Sequence, residues 1–153
     1  MSDDALERLF PALTEGGFDI TSPPDRRYNC IAWAAGDVTR WWWPAESPFA
    51  YWPAGMDREE SLTSFIRAFA TLGYEPASSG DPEPSFEKVA IFASSDGVPT
   101  HMARQLGDGS WTSKLGGLED IAHRHVTGLA GAEYGNVVAF LKRRESELAE
   151  RAR

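Results

Sequence analysis

Residues 28–36 read YNCIAWAAG and contain the one cysteine of the chain. Asn29 is a favourable helix N-cap, the residues after it are mostly apolar or good helix formers, and Gly36 can end the run in a left-handed conformation. We therefore predict a short helix with Cys30 in its first turn. The free N–H groups and the positive dipole end at that position favour a thiolate, which makes Cys30 a candidate nucleophile. The alternative is a small buried hydrophobic residue on the inner face of the helix.

A nucleophilic cysteine needs a base, and the chain offers three histidines, His101, His123 and His125. Residues 107–109 read Gly-Asp-Gly, a typical hairpin turn, and a strand-like run flanks this turn on each side. We predict that His101 opens the first strand of the hairpin and that Ser113 lies on the strand that folds back beside it. The local sequence therefore favours His101 as the base.

These segments resemble the papain-like superfamily of cysteine hydrolases, specifically its NlpC and CHAP types. Residues 28–34 are similar to the CHAP signature of an amide residue, the cysteine and an aromatic residue one turn later. Residues 101–113 are similar to the family's histidine strand and hairpin. The resemblance implies Cys30 as the nucleophile, His101 as the general base and Ser113 as the residue that orients the imidazole. The whole chain also resembles an uncharacterised bacterial family of small, Trp-rich proteins, a likeness that implies no activity.

The resemblance also implies a reaction. The imidazole takes the thiol proton, the sulfur attacks a carbonyl carbon, and the resulting thioester is hydrolysed or transferred. The implied substrate is a small amide, peptide or acyl compound, no cofactor is needed, and the Asn29 side chain helps to stabilise the oxyanion. The family usually has His, Asn, Asp, Glu or Gln at the orienting position, so Ser113 departs from its pattern. Asp120 or Asp25 is the alternative source of negative charge.

The composition, with 42% hydrophobic and 25% charged residues, is typical of a globular protein, and 153 residues are enough for one domain. We predict a single domain over residues 1–153, with its core at about 18–143. An N-terminal helix is predicted over residues 2–14, and a charged, helix-prone tail over 142–153. The predicted fold class is α+β, with a small antiparallel sheet packed against the N-terminal Cys-bearing helix, papain-like or NlpC-like as the resemblance implies.

The remaining elements follow from the spacing of apolar residues. A stripe of apolar residues three and four positions apart predicts a helix over about 58–72. Apolar runs predict strands at 87–93 and 134–141, and residues 118–123 indicate a helical turn. Residues 18–27, which contain two prolines, are expected to approach the Cys helix as an extended or turning segment.

A segment rich in aromatic residues and interrupted by prolines follows Gly36, and its rings are Trp41, Trp42, Trp43, Phe49, Tyr51 and Trp52. The prolines argue against a helix and indicate an ordered loop. Its rings either pack onto the Cys helix or line a cleft, where they offer stacking surfaces to an acyl, peptide or sugar group. Candidate substrate-binding residues are Trp33, Trp43 and Trp52. Because consecutive residues cannot all point in one direction, at least one of the three consecutive tryptophans is expected to face solvent or ligand.

The net charge of −8 and the pI of about 4.8 favour neither nucleic acid nor anionic lipid as a partner. No segment reaches the roughly 18 apolar residues of a membrane span, and the acidic N-terminus lacks the pattern of a signal peptide. A single cysteine fits a reducing compartment, so we expect a cytoplasmic protein that does not act at a membrane. The sequence does not predict an oligomeric state.

Two alternatives to the hydrolase remain. Cys30 and the three histidines could form a metal site, but their spacing matches none of the strong zinc patterns, so we predict no metal. The other alternative is a catalytically inactive binding or immunity-like module that has the same fold and uses its Trp-rich surface.

Overall fold

The computed structural model describes residues 2–145, which form four short helices, a 3₁₀ turn and one sheet. The helices are α1 (Asp3–Leu9), α2 (Leu13–Gly16), α3 (Cys30–Ala35) and α4 (Leu62–Ala70), and the 3₁₀ turn spans Val126–Leu129. The strands are β1 (Phe18–Ser22), β2 (Glu75–Ala77), β3 (Phe86–Ala93), β4 (Pro99–Gln105), β5 (Trp111–Lys114), β6 (Asp120–His123) and β7 (Asn136–Arg144). The strand order is β1-β6-β5-β4-β3-β7-β2, and all neighbours run antiparallel. The prediction of a single α+β domain with an antiparallel sheet is confirmed.

Side chains alternate along the strands, so the sheet has two faces, and helices cover both. On what we call the α3 face, a buried cluster joins α3 and α4 to the strands through Ile31, Ala32, Phe65, Phe69, Val89, Ile91, Met102 and Leu141. On what we call the α1 face, a second cluster joins α1 and α2 to the intervening strand positions through Leu6, Leu13, Ala90, Phe92, Ala103, Trp111 and Ile121. The central strands β3 and β4 are therefore buried on both sides.

Helix α3 begins and ends where the sequence predicts. The Asn29 side chain accepts a hydrogen bond from the Ala32 N–H at 3.1 Å, which caps the helix. Gly36 ends it with a φ of 82°, a left-handed conformation that glycine adopts without strain. Cys30 is the first residue of the helix, as predicted.

The two other predicted helices are shorter than expected, because local signals stop them. Ser61 caps α4 by accepting a hydrogen bond from the Ser64 N–H at 3.2 Å, so residues 58–60 precede the helix. The predicted N-terminal helix is divided into α1 and α2, since Pro11 has no N–H to donate and lies between them.

The prediction of a helical turn at residues 118–123 is wrong. Residues 120–123 form β6, whose backbone pairs with β1 on one side and β5 on the other. The extended form of residues 18–22 is an edge strand that the sequence did not distinguish from a turn. Strand β2 is the opposite edge strand, and Pro76 within it fits an edge position because it cannot donate to a ladder. β1, β2 and β6 account for the difference between the four predicted strands and the seven observed within residues 2–145.

The hairpin of β4 and β5 is confirmed, but its strands pair only next to the turn. Arg104 lies opposite Thr112 and Gln105 opposite Trp111, and the pairing stops there. The predicted tail begins as part of β7, which extends to Arg144, and the rest of it, residues 146–153, lies outside the described residues. None of the helices within residues 2–145 is both long and apolar enough to cross a bilayer.

Candidate functional site

A cleft of about 320 Å³ opens beside the first residue of α3. It is lined by Asn29, Cys30, Trp41, Trp43, Thr100, Gly116 and Tyr134. Two further depressions, of about 430 and 510 Å³, lie along the aromatic loop. Trp41 lines all three, so they adjoin at this residue, and Phe49 and Arg26 line both of the outer two. We call the three together the aromatic cleft.

Asn29 attaches the aromatic loop to the start of α3. Its Oδ1 accepts a second hydrogen bond, from the Trp42 N–H at 3.1 Å, and its Nδ2 donates to the Trp42 carbonyl at 2.7 Å. The Trp42 ring is buried against Phe69 and Tyr51, and its Nε1 donates to Asp37 at 2.8 Å. With Trp42 directed inward, its two neighbours in the sequence line the cleft. Asn29 thus has a structural role, and its part in an oxyanion site stays a prediction.

Cys30 is at the wall of the cleft, but the residue is only 6% exposed. Burial raises the pKa of this thiol to about 11, against the weaker opposing effects of the Met102 N–H and the Lys114 ammonium group. The favourable position at the helix start is therefore outweighed by desolvation. At neutral pH the group is a protonated thiol, the less nucleophilic form.

His101 is completely buried, and its ring faces away from α3. In the β3–β4 pairing it lies opposite Phe92, a residue of the α1 face, and the two rings meet edge to face at 5.2 Å. The next residue, Met102, belongs to the same cluster as Cys30 on the α3 face. Because successive side chains of a strand point to opposite faces, the side chains of His101 and Cys30 lie on opposite sides of the sheet.

The His101 ring also has no hydrogen-bond partner in the part of the chain that the structure describes. Neither of its nitrogens is bonded to any group within residues 2–145, which excludes a hydrogen bond to the Cys30 thiol in this conformation. The Tyr134 ring stacks on the imidazole, with centroids 4.2 Å apart and planes 9° apart, and lines the cleft as well. Burial lowers the pKa of His101 well below its usual value, so the imidazole is neutral. A Cys30–His101 pair stays a prediction, and this geometry does not support it.

Ser113 orients a histidine, but that histidine is His123. The Ser113 hydroxyl and His123 Nε2 are 2.8 Å apart, and His123 Nδ1 lies 2.8 Å from the carbonyl oxygen of His125. A carbonyl only accepts, so Nδ1 carries the proton and Nε2 accepts from the hydroxyl. Both side chains are buried, and desolvation lowers the pKa of His123 to about 4. Ser113, His123 and the His125 carbonyl thus form a neutral hydrogen-bond network on the α1 face, in which both imidazole nitrogens have partners.

A comparison with known families adds one finding. The family model described as Domain of unknown function (DUF7689) matches residues 19–142. The chain belongs to this family. No curated protein and no solved structure matches the chain. The matched segment extends from β1 into β7 and includes α3 and every residue that lines the aromatic cleft.

Of the three tryptophans predicted to bind substrate, the structure of this DUF7689 domain places one in the cleft. Trp43 lines it and packs edge-on against Phe65. Trp33 lies outside, where its Nε1 donates to the Thr112 hydroxyl at 3.2 Å. Trp52 is a core residue, 2% exposed, and its Nε1 donates to the Asp57 carbonyl at 3.0 Å.

The two alternative carboxylates do not bond to His101 either. Asp25 holds Arg27 through an ion pair of 2.7 Å, as expected of a turn carboxylate. Asp120 lies opposite Lys114 in the sheet, and burial raises its pKa. Within residues 2–145 no group of three or more His, Cys, Asp or Glu side chains is arranged to hold a metal ion.

The candidate binding residues chosen from the sequence did not include four aromatic residues of the cleft, namely Trp41, Phe49, Tyr51 and Tyr134, or the arginines that line it. A signal was available for Trp41, because a buried tryptophan at position 42 directs both of its neighbours away from the core. Tyr134 carried no such signal. It reaches the cleft from the loop before β7, where its carbonyl accepts a hydrogen bond from the Thr100 hydroxyl at 2.5 Å.

Proposed function

We propose that this domain binds a small ligand with an apolar acyl or aromatic body in the aromatic cleft. The observation that carries the proposal is the meeting of three depressions at Trp41, each lined by three aromatic residues. One of these rings, Phe49, is 88% exposed, although burying an aromatic ring is favourable by roughly 1.5–3 kcal/mol. A ligand that stacks on these rings would recover part of that free energy.

The size and the anchoring of the cleft also support a small ligand. Its three parts, of about 320, 430 and 510 Å³, fall within the range of roughly 300–1,000 Å³ that is common for small-molecule sites. The Asn29 hydrogen bonds to Trp42 hold the aromatic loop against the start of α3 before a ligand binds. Such pre-organisation lowers the entropy that binding must overcome.

The second candidate is a papain-like cysteine hydrolase or acyltransferase. It is favoured by Cys30, which is the first residue of a capped helix and also lines the cleft. In this reaction the sulfur would bond to the carbonyl carbon, the leaving group would depart with a proton, and water or an acceptor would then cleave the thioester. The mechanism would require the thiol to lose its proton and a base to reach it. His101 could do so only after a rearrangement of β4 that brought its ring to the α3 face.

Binding should be visible at the individual indole groups of the six tryptophans. We expect a titration with neutral aromatic amides, such as benzamide and 4-phenylbutanamide, to shift the indole N–H resonances of Trp41 and Trp43. The resonances of Trp33, Trp52 and Trp111 should stay in place, because these rings lie outside the cleft. The measurement is ¹H–¹⁵N correlation NMR, with each indole signal assigned from a single Trp→Phe variant.

Removing the ring shared by the three depressions should weaken this binding. Covering about 50 Å² of the Trp41 ring contributes about 1.3 kcal/mol, so Trp41→Ala should raise the Kd close to tenfold. Trp33→Phe is the matched control, and its Kd should equal that of the unmodified protein. A binding role for the cleft would be refuted if none of the aromatic amides shifted the Trp41 and Trp43 signals. It would also be refuted if Trp41→Ala and Trp33→Phe lowered the affinity equally.

The state of Cys30 separates the two candidate functions. With a pKa of about 11, roughly one thiol in a few thousand is ionised at pH 7.5, so iodoacetamide should alkylate the folded protein very slowly. Mass spectrometry measures the rate of Cys30 alkylation in the folded protein and in a urea-unfolded sample, and the ratio of the two rates gives the protection. In His101→Phe, which keeps a ring beneath Tyr134, the rate should be no lower. Fast alkylation of the folded protein that is lost in this variant would instead favour the hydrolase.

A further inference from the structure

The charged residues found to line the aromatic cleft are all arginines. The chain has 23 Asp and Glu residues against 15 Lys and Arg residues, yet no Asp or Glu within residues 2–145 lines any of the three depressions. Arg26, Arg27 and Arg40 do line them. The other cavities differ, since one is bordered by Asp19 and Asp108. The cleft is therefore a local site of positive charge on an acidic protein.

Two of the three guanidinium groups are already neutralised. Arg27 pairs with Asp25 at 2.7 Å. Arg40 pairs with Asp37 at 2.9 Å and lies over the Tyr51 ring, 3.6 Å from its centroid. Each has a carboxylate within hydrogen-bond distance, so neither needs a ligand to complete its contacts.

Arg26 is the exception. Its guanidinium makes no ion pair, hydrogen bond or ring contact with any group in residues 2–145, although it lines two depressions beside Trp41 and Phe49. Its side-chain stem passes over Gly117, where an added Cβ would lie 3.3 Å from the Arg26 Cγ. The preceding residue, Gly116, lines the part of the cleft that contains Cys30. Arg26 is thus beside both the exposed rings and the Cys30 end.

We propose that the ligand of this cleft is a small aryl or acyl carboxylate, whose apolar body stacks on Trp41 and Phe49 and whose carboxylate pairs with Arg26. The inference rests on the proposed binding function and adds the charge of the ligand to it. A guanidinium presents paired N–H donors that match the two oxygens of a carboxylate, which a neutral amide does not reproduce. The concave, small-molecule size of the cleft favours a small compound over a protein surface.

Two probes that differ only in charge test the inference. 4-Phenylbutyrate and 4-phenylbutanamide share one apolar body, and their Kd values for the full chain can be measured by the indole shifts or by calorimetry at low salt. We expect the carboxylate to bind about five- to tenfold more tightly than the amide, and this preference to fall as NaCl is added. In Arg26→Gln the ratio of the two Kd values should fall to about one, because the carboxylate loses its partner.

Arg124→Gln is the matched control, because it removes the same charge at the other end of β1. Arg124 donates its backbone N–H to the Gly17 carbonyl, just before β1 begins, whereas Arg26 follows the end of that strand. The carboxylate preference should survive in this variant. Equal affinities of both probes for the unmodified protein, or the same loss in both variants, would overturn the inference while leaving the proposed function intact. Binding of neither probe would contradict the proposed function itself.

Discussion

Replacing Asn29 with alanine should lower the free energy of unfolding by about 3 kcal/mol or more. The side chain is 3% exposed and makes three hydrogen bonds to backbone groups, one to Ala32 and two to Trp42. Loss of a helix N-cap costs about 1 kcal/mol. Each buried backbone group of Trp42 left without a partner costs about 1–3 kcal/mol more.

Ser61→Ala provides a matched control for this variant. Ser61 also caps a helix by one side-chain hydrogen bond, to the Ser64 N–H, but it attaches no loop. It should cost only the capping contribution of about 1 kcal/mol. Urea unfolding followed by Trp fluorescence measures both values, and the difference between them isolates the bonds to Trp42. Equal costs for the two variants would show that Asn29 does not hold the aromatic loop.

The parts of the fold that the sequence predicts well are those specified by local contacts. Helix α3 is bounded by a capping Asn29 and a left-handed Gly36, and the β4–β5 hairpin by its Gly-Asp-Gly turn. By contrast, β6 lies between β5, the strand just before it in the chain, and β1, which comes from the N-terminal part of the chain. Pairing of that kind leaves little trace in the sequence of the strand itself.

The candidate site shows the same division. Placing Cys30 needed only the helix cap, and the structure agrees. The side of the sheet that His101 faces depends on where α3 crosses β4, which no local pattern reports. An alternation of polar and apolar residues could have given the answer, but His101, Met102 and Ala103 are all buried because both faces of β4 are covered. The resemblance to cysteine hydrolases therefore matched residues in order without establishing that they meet.

The buried histidines should make the protein unusually sensitive to acid. His101 and His123 are neutral when folded, because burial lowers the pKa of His101 well below its ordinary value and that of His123 to about 4. In the unfolded chain both titrate near a pKa of about 6.5. Below that pH the unfolded state binds more protons than the folded state, so stability is complete above about pH 6.5 and falls as the pH decreases. The buried Asp120 carboxyl, whose pKa is raised, works in the opposite direction and offsets part of the loss at lower pH.

Each buried histidine contributes up to about 1.4 kcal/mol per pH unit, so between pH 6 and pH 5 the free energy of unfolding should fall by about 2 kcal/mol or more. Urea unfolding at pH 7.5, 6 and 5 measures this slope. His101→Phe replaces the imidazole by a ring that can still stack beneath Tyr134 and contact Phe92, but that cannot take up a proton. This variant should be as stable as the unmodified protein at pH 7.5. Its free energy of unfolding should fall less steeply with pH, by up to about 1.4 kcal/mol per pH unit, the contribution of one histidine. An unchanged slope would mean that His101 takes up a proton in the folded state, and so would contradict its role as a buried, neutral group.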